Sequence, residues 1–293
     1  MTWGVIAAVL FAALLHASWN AMVKSGDDKP LDIATMHSLG FVVSLPVLAV
    51  VGPPPAASWP WIATSIVIHV GYYTALAGAY RHGDLTLTYP IMRGLAPVLV
   101  ALASAPLIGE SLPLAGWVAV LGVSAGVLML GLASVPHGAG GALRMPGPAV
   151  RWALLNAAII AAYTVVDGLG IRAAVHHGGT ALQYIAVLML FDGLPYLALV
   201  LWQRGAAGRP AAFAQMRRRI PVLTVGMLAS FGSYAIALWA MTSAPIAAVA
   251  ALRETSVLFA ALIGTRMLGE RFGVQRATGT ALIVGSVAAL RLA

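Results

Sequence analysis

Two arginines stand where hydrocarbon would be expected. Arg93 lies in "TLTYPIMRGLAPVLVALAS" and Arg253 in "PIAAVAALRETSVLFAALIG", each about eight residues into an apolar run. A guanidinium inside a membrane costs several kcal/mol and cannot face lipid. Its planar donor fork suits a carboxylate or phosphate, so the chemistry expected is capture of an anionic group. The competing chemistry is a structural ion pair, Arg253 with its neighbour Glu254 or Arg93 with Asp192.

Asp192, in "LMLFDGLPY", lies about twelve residues into its own run, followed by Gly193 and Pro195, where a helix can break. A buried acid can carry a proton or serve as a counter-ion to an arginine. Glu254 reads as a local partner for an arginine. His16, Asn20 and Lys24 recur at i, i+4 and i+8, one face of a helix. His16 joins Asp192 and Glu254 as a candidate for proton coupling, while Lys24 reaches the interface. Asp167 and Arg172 lie in the corresponding part of a later run. His69, Tyr72, Tyr73, Tyr89, Tyr163, Tyr234 and Trp239 pair an aromatic body with a polar tip, which suits a cavity wall. Trp3, Trp59, Trp61 and Trp202 sit near the ends of runs, as interfacial anchors do. Pro90, Pro97, Pro106 and Gly94 surround Arg93, and Pro90, Gly94 and Pro97 would let that helix bend as a gate. The pair His176–His177 has no further ligand nearby, so no metal site is expected.

These residues must be held by membrane-spanning helices. Of the 293 residues, 60% are hydrophobic and 9% charged, and the mean hydropathy is +0.91. Soluble domains are about 45–50% apolar and about 25% charged. There is no cysteine, which excludes disulfides, thiolate catalysis and Cys-based zinc sites. The formal charge of +8 comes mostly from loop arginines, which orient membrane proteins, and no nucleic acid partner is inferred. No basic n-region or cleavage site follows Met1, so no removable signal peptide is expected.

A span needs about 20 apolar residues. Ten runs meet that length: 3–23, 31–51, 59–80, 85–108, 113–133, 148–172, 180–203, 220–241, 245–268 and 273–292. The loops are short; the longest are 134–145 and the basic "RGAAGRPAAFAQMRRR" at 204–219. Small-residue patterns such as "GVSAG" (122–126) permit close helix approach. Thirteen basic residues fall on one side (Lys24, Lys29, Arg81, Arg144, Arg151, Arg204, Arg209, Arg217, Arg218, Arg219, Arg266, Arg271 and Arg276) against Arg172 and Arg291 on the other. That imbalance places both termini outside the cytoplasm.

The chain also repeats itself. Segment 79–110 aligns with 239–270 at a constant shift of 160 residues, pairing Arg93 with Arg253 and Gly109–Glu110 with Gly269–Glu270. Residues 1–133 form one five-span half and 148–293 another, joined by the linker 134–147. Because five is odd, the second half enters the membrane inverted. Inverted repeats build secondary transporters, with substrate bound near the midplane in a central cavity. Each arginine lies roughly 12 Å from its entry face, close to the middle of a ~30 Å core.

The Pro-to-Gly-Glu segment "APVLVALASAPLIGESL", its second copy "TSVLFAALIGTRMLGERF", the early "HASWNAMVKSG" and the duplication together resemble the drug/metabolite transporter superfamily, in its ten-helix EamA-type branch. The second copy lacks a proline at the place of Pro97. The resemblance covers the whole chain. It implies alternating-access transport, typically export, of a small metabolite such as an amino acid, with no catalytic residue and no cofactor.

The fold expected is therefore an all-α integral membrane protein of the bacterial inner membrane. Ten helices form two inverted repeats, as a monomer or weak homodimer whose partners are a small-molecule substrate and membrane lipid. A flippase for a lipid-linked sugar and a passive channel are the rival readings. An enzyme is disfavoured because the sequence has no HExxH, no phosphate-binding Gly-rich loop and no nucleophile elbow.

Overall fold

The computed structural model describes residues 1–82, 85–132, 147–268 and 273–290, in the backbone only at 80, 85, 86 and 263–268. The loop 134–145, Gly269–Glu270, Arg144, Arg271 and Arg291 lie outside the described residues, as does the side chain of Arg266. No strand occurs among the described residues. The helices are α1 (Trp3–Lys24), α2 (Lys29–Ser38), α3 (Gly40–Val51), α4 (Trp59–His82), α5 (Leu85–Ile108), α6 (Leu114–Leu132), α7 (Gly147–His176), α8 (Ala181–Gln203), α9 (Gly205–Met241), α10 (Ile246–Arg253), α11 (Ser256–Leu268) and α12 (Val274–Ala289), with a 3₁₀ turn at Ala56–Ser58.

Local chemistry sets several boundaries. The side chain of Asp28 caps α2 by accepting from the Leu31 amide at 3.2 Å, just ahead of Pro30. At α8 a capping box forms: Thr180 Oγ1 accepts from the Gln183 amide at 3.3 Å, and Gln183 Oε1 from the Thr180 amide at 2.9 Å. Gly178, with φ of 82°, follows the end of α7 in a conformation that favours glycine.

Among the described residues, eight segments are long and apolar enough to cross a membrane, α2 and α3 counting together as Lys29–Val51. The sequence reading differs at four places. The run 31–51 is α2 and α3, separated at Leu39. The run 245–268 is not one helix but α10 and α11, separated at Glu254–Thr255. The last run gives α12, only 16 residues long. The segment 204–219, expected as a loop, is the first part of the 37-residue α9. Its alanines, arginines and Gln215 are good helix formers, which outweigh Gly205, Gly208 and Pro210.

The helices pack as two compact units. The first comprises Met1–Ala13, Gly71–Val165 and Ser243–Ala293, the second Leu14–Val70 and Val166–Thr242. They are not the two sequence halves; each draws on both. In the first unit α6 packs on α5 and α12. A Cβ on Gly131 would meet Pro90 Cγ at 1.8 Å, and one on Gly126 would meet the Gly279 carbonyl oxygen at 2.8 Å. The "GVSAG" segment therefore lies hard against α12, as small-xxx-small patterns allow. Val123, Val127, Leu130, Val257 and Ile283 form the core there. In the second unit α2, α3, α8 and α9 pack together. A Cβ on Gly40 would fall 2.6 Å from the Met189 carbonyl oxygen, and one on Gly193 would fall 2.2 Å from the His37 backbone. Many large apolar side chains point outward, Val50 at 86% exposure and Leu114 at 81% among them, as a lipid-facing surface requires.

Candidate functional site

The buried polar residues of the first unit gather around the α10–α11 break. At this point the backbone tightens: the amides of Glu254 and Thr255 donate three residues back, to Ala251 O at 3.1 Å and Leu252 O at 3.2 Å. Thr255 Oγ1 also donates to Leu252 O at 2.8 Å. Threonine and serine compete for backbone partners in this way, and "RETS" places them together. Arg253 thus ends one helix and Ser256 begins the next.

Glu254 Oε2 lies 2.7 Å from Arg93 Nε in an ion pair, both side chains being about 5% exposed. Arg253 is buried and also lies within electrostatic reach of the Glu254 carboxylate. Arg93 and Arg253 both reach Tyr72 electrostatically, as do Tyr89 and Tyr163. The Tyr72 ring meets Tyr163 edge-on at 5.6 Å and Tyr73 at 5.1 Å. Tyr89 lies beside Ser256, and Asn156 Nδ2 donates to the Tyr72 carbonyl at 2.9 Å. Two guanidiniums and one carboxylate therefore share a buried, tyrosine-lined cluster. Pro90, Gly94 and Pro97 are buried beside Arg93 on α5, an unbroken helix.

Glu110, from the Gly109–Glu110 landmark, has a separate task. Its Oε2 accepts from the Ile246 amide at 3.0 Å. Pro245 opens α10 with no side-chain cap of its own, so this distant carboxylate satisfies the helix start.

A second polar cluster lies in the second unit. Asp192, 1% exposed, is on an α8 that runs straight through Gly193 and Pro195. The helix does not break there; Gly193 is pressed against the His37–Ser38 backbone, and Ser38 Oγ donates to its carbonyl at 3.2 Å. The carboxylate faces two histidines, His37 Nδ1 at 3.1 Å and His69 Nδ1 at 3.8 Å. His69 Nδ1 is also 2.9 Å from the Ser65 carbonyl. Asp167 accepts from the Tyr184 hydroxyl at 3.0 Å and from the Tyr234 hydroxyl, and lies within electrostatic reach of His69. His16 meets Trp19 edge-on at 4.9 Å, and Trp19 meets His37 at 6.0 Å.

The sequence candidates thus fall into two groups. Arg93, Arg253, Glu254, Tyr72, Tyr73, Tyr89 and Tyr163 come together in the first unit. Asp192, His69, Tyr234 and His16 come together in the second, where Asp192 is bonded to histidines rather than to an arginine. Asn20 turns its amide to the His16 carbonyl at 2.8 Å, and Trp239 is 45% exposed. Sequence reasoning missed His37, Tyr184 and Asn156 as site residues. His37 carried a usable signal, an ionisable residue within an apolar run. Among the described residues no group of histidines and acids could hold a metal ion.

No curated protein matches the chain. Solved structures do, 28 chains in all. One, a crystal structure of a protein, is 20% identical over 100% of this chain and 98% of that chain with a TM-score of 0.74, a likeness of fold alone. The model of the EamA-like transporter family matches residues 147–292, the half that carries the α10–α11 break, Asp192 and Asp167. This multi-pass membrane protein is therefore a member of the EamA-like transporter family, within the drug/metabolite transporter superfamily.

Proposed function

We propose that this chain is a secondary transporter, working as an exporter in the bacterial inner membrane, for a small polar solute with an anionic group such as an amino acid. Family membership supports transport of a small solute. The observation that carries the finer reading is the buried Arg93–Glu254 pair with Arg253 beside it. Two guanidiniums, planar donor forks that suit a carboxylate or phosphonate, lie together there beside a single acid. A solute carboxylate or phosphonate would add a second anion to that cluster, and the tyrosine hydroxyls would supply further donors. Ten spans in two inverted five-helix halves would let such a site open to either side in turn. Bending of α5 at Pro90–Pro97 would serve as the gate.

The test uses purified protein in detergent and then in liposomes. A thermal-shift panel of amino acids, phosphonates and sugar phosphates finds the solute, because a ligand bound only by the folded state raises the melting temperature. Counterflow of that labelled solute is expected in wild type and is expected to fall at least about tenfold, 1.4 kcal/mol, in both Arg93→Ala and Arg253→Ala. If both variants keep full uptake of every transported solute, the arginine role is wrong. Unsaturable current in planar bilayers would identify a channel, and scrambling of a lipid-linked sugar a flippase.

A further inference from the structure

We propose that residues 205–219, the first part of α9, lie flat on the membrane surface, and that Arg217 and Arg218 there bind the phosphate of an anionic phospholipid. The inference concerns a segment to which the transporter reading gives no task, and it stands or falls apart from that reading.

The segment begins and ends near one level of the second unit. A single residue, Arg204, joins α8 to α9, and Gly205, with φ of 64°, makes the turn. Trp202, 71% exposed at the end of α8, is the kind of side chain that marks the edge of the hydrocarbon. The apolar part of α9 starts at Ile220. Asp28 holds Arg204 at 2.6 Å, and Asp32 holds Arg219 at 3.1 Å. These two acids stand one helical turn apart at the start of α2, about 6 Å, whereas the helix from 205 to 219 extends about 22 Å. An upright segment would lift Arg204 by that whole length above Arg219 and away from Asp28. Arg209 Nε instead donates back to the Leu201 carbonyl at 3.4 Å, keeping the segment beside the end of α8. Pro221 has no N–H to donate to the Arg217 carbonyl, so α9 can bend where the segment meets the span.

The segment's faces suit a lipid surface. Ala212 is buried, and Met216 and Arg219 are half-buried against the protein. Arg209, Phe213 and Arg217 recur every four residues as an exposed stripe. Phe213, Ala214, Arg217 and Arg218 line an open recess of about 450 Å³. No acid occurs between 205 and 219, and Asp28 and Asp32 are already engaged by Arg204 and Arg219. Among the described residues Arg217 and Arg218 have no ion-pair or hydrogen-bond partner, and both are exposed. They stand two and three residues before Ile220, roughly 3–5 Å along the helix, within the ~5–8 Å headgroup layer of one leaflet. Phosphates lie at that depth, and a guanidinium fork matches them. An aromatic side chain among basic ones is the pattern of a helix lying in the interface. Setting orientation needs only the charge, not an exposed stripe with Phe213 in its middle.

Two measurements test the two halves of the proposal. Ala207 and Ala214 are exposed and share a helix face about 10 Å apart along the axis. Spin labels on single Ala207→Cys and Ala214→Cys proteins, in phosphatidylglycerol–phosphatidylcholine vesicles, report depth through collision with oxygen and a nickel chelate. Depths equal within about 5 Å are expected, half the axial spacing that an upright helix would show; a larger difference overturns the flat placement. Binding is read from the melting temperature in detergent, which a ligand of the folded state raises. Phosphatidylglycerol should raise it, whereas phosphatidylcholine and glycerol 3-phosphate should not. Arg217→Gln/Arg218→Gln should weaken the apparent affinity for phosphatidylglycerol about tenfold or more, and Arg217→Lys/Arg218→Lys should keep most of it. An equal response of the glutamine variant and wild type overturns the site. A response to phosphatidylcholine as large as that to phosphatidylglycerol does so too, and an equal response to glycerol 3-phosphate would mark a soluble anion instead of a lipid. If the glutamine variant does not fold, a wild-type response undiminished in about 1 M salt, where charges are screened beyond ~3 Å, overturns it instead.

Discussion

Glu254 holds Arg93 at 2.7 Å in a site from which water is almost excluded. Replacing it by glutamine keeps the shape and removes the charge that opposes the buried Arg93 guanidinium. Breaking a buried pair from one side costs about 3–5 kcal/mol. Glu254→Gln should therefore lower the unfolding free energy in detergent by an amount in that range. The double variant Arg93→Met/Glu254→Leu should recover most of it, because an apolar pair removes both desolvation penalties. Chemical denaturation of the three proteins, read by circular dichroism, checks this. Equal stability of Glu254→Gln and wild type would mean that water or another group already neutralises Arg93. The same comparison bears on function: anionic solute should protect Glu254→Gln against unfolding more than wild type, since the variant lacks the carboxylate that competes with the solute for Arg93.

At the scale of the helix, close backbone approach decides what the elements can tolerate. A Cβ at Gly193 would lie 2.2 Å from the His37 carbonyl carbon and 2.2 Å from the Ser38 nitrogen, whereas nothing lies within 4 Å of one at Gly4. Backbone cannot yield as a side chain can, so Gly193→Ala must push α2 off α8 at a cost of about 1–3 kcal/mol. Gly4→Ala should be neutral or slightly stabilising, since alanine favours the helix. Melting temperatures of the two variants test this, and matching values would mean that the α2–α8 contact is not close in solution. Such contacts explain which elements could be read from sequence. The long spans were legible because apolar length alone specifies them, and the start of α2 because Asp28 and Pro30 are strong signals. The α10–α11 break was not, since "RETS" lies in an apolar run of full span length and Thr and Ser occur inside unbroken helices as well as at their ends. The Gly109–Glu110 pair was legible as a landmark, yet its task was hidden because the amide it caps, Ile246, lies far along the chain. In the site, the buried arginines could be found because charge in an apolar run is conspicuous. His37 and Tyr184 went unpaired with their acids because helix packing, not spacing, brings them together.

For the whole molecule the open matter is which way the chain faces, and α9 makes it testable. At 37 residues this helix is about 56 Å long, nearly twice a ~30 Å hydrocarbon core. Its apolar part begins at Ile220, so the basic part with Arg209, Arg217, Arg218 and Arg219 must extend beyond the core. Ion pairs fasten this end to the α1–α2 turn: Arg204 to Asp28 at 2.6 Å and Arg219 to Asp32 at 3.1 Å. Whichever side holds one holds the other, and the density of arginine there argues for the cytoplasm. His176–Gly178, at the opposite end of the chain's traverse through α8, should then face outward. Because the protein has no cysteine, a single introduced one reports alone. In intact cells a membrane-impermeant maleimide should label His177→Cys and spare Ala214→Cys, both sites being exposed, and Ala214→Cys should react only after permeabilisation. The reverse pattern would turn the molecule over, and labelling of both from outside would mean that α8 does not cross the membrane.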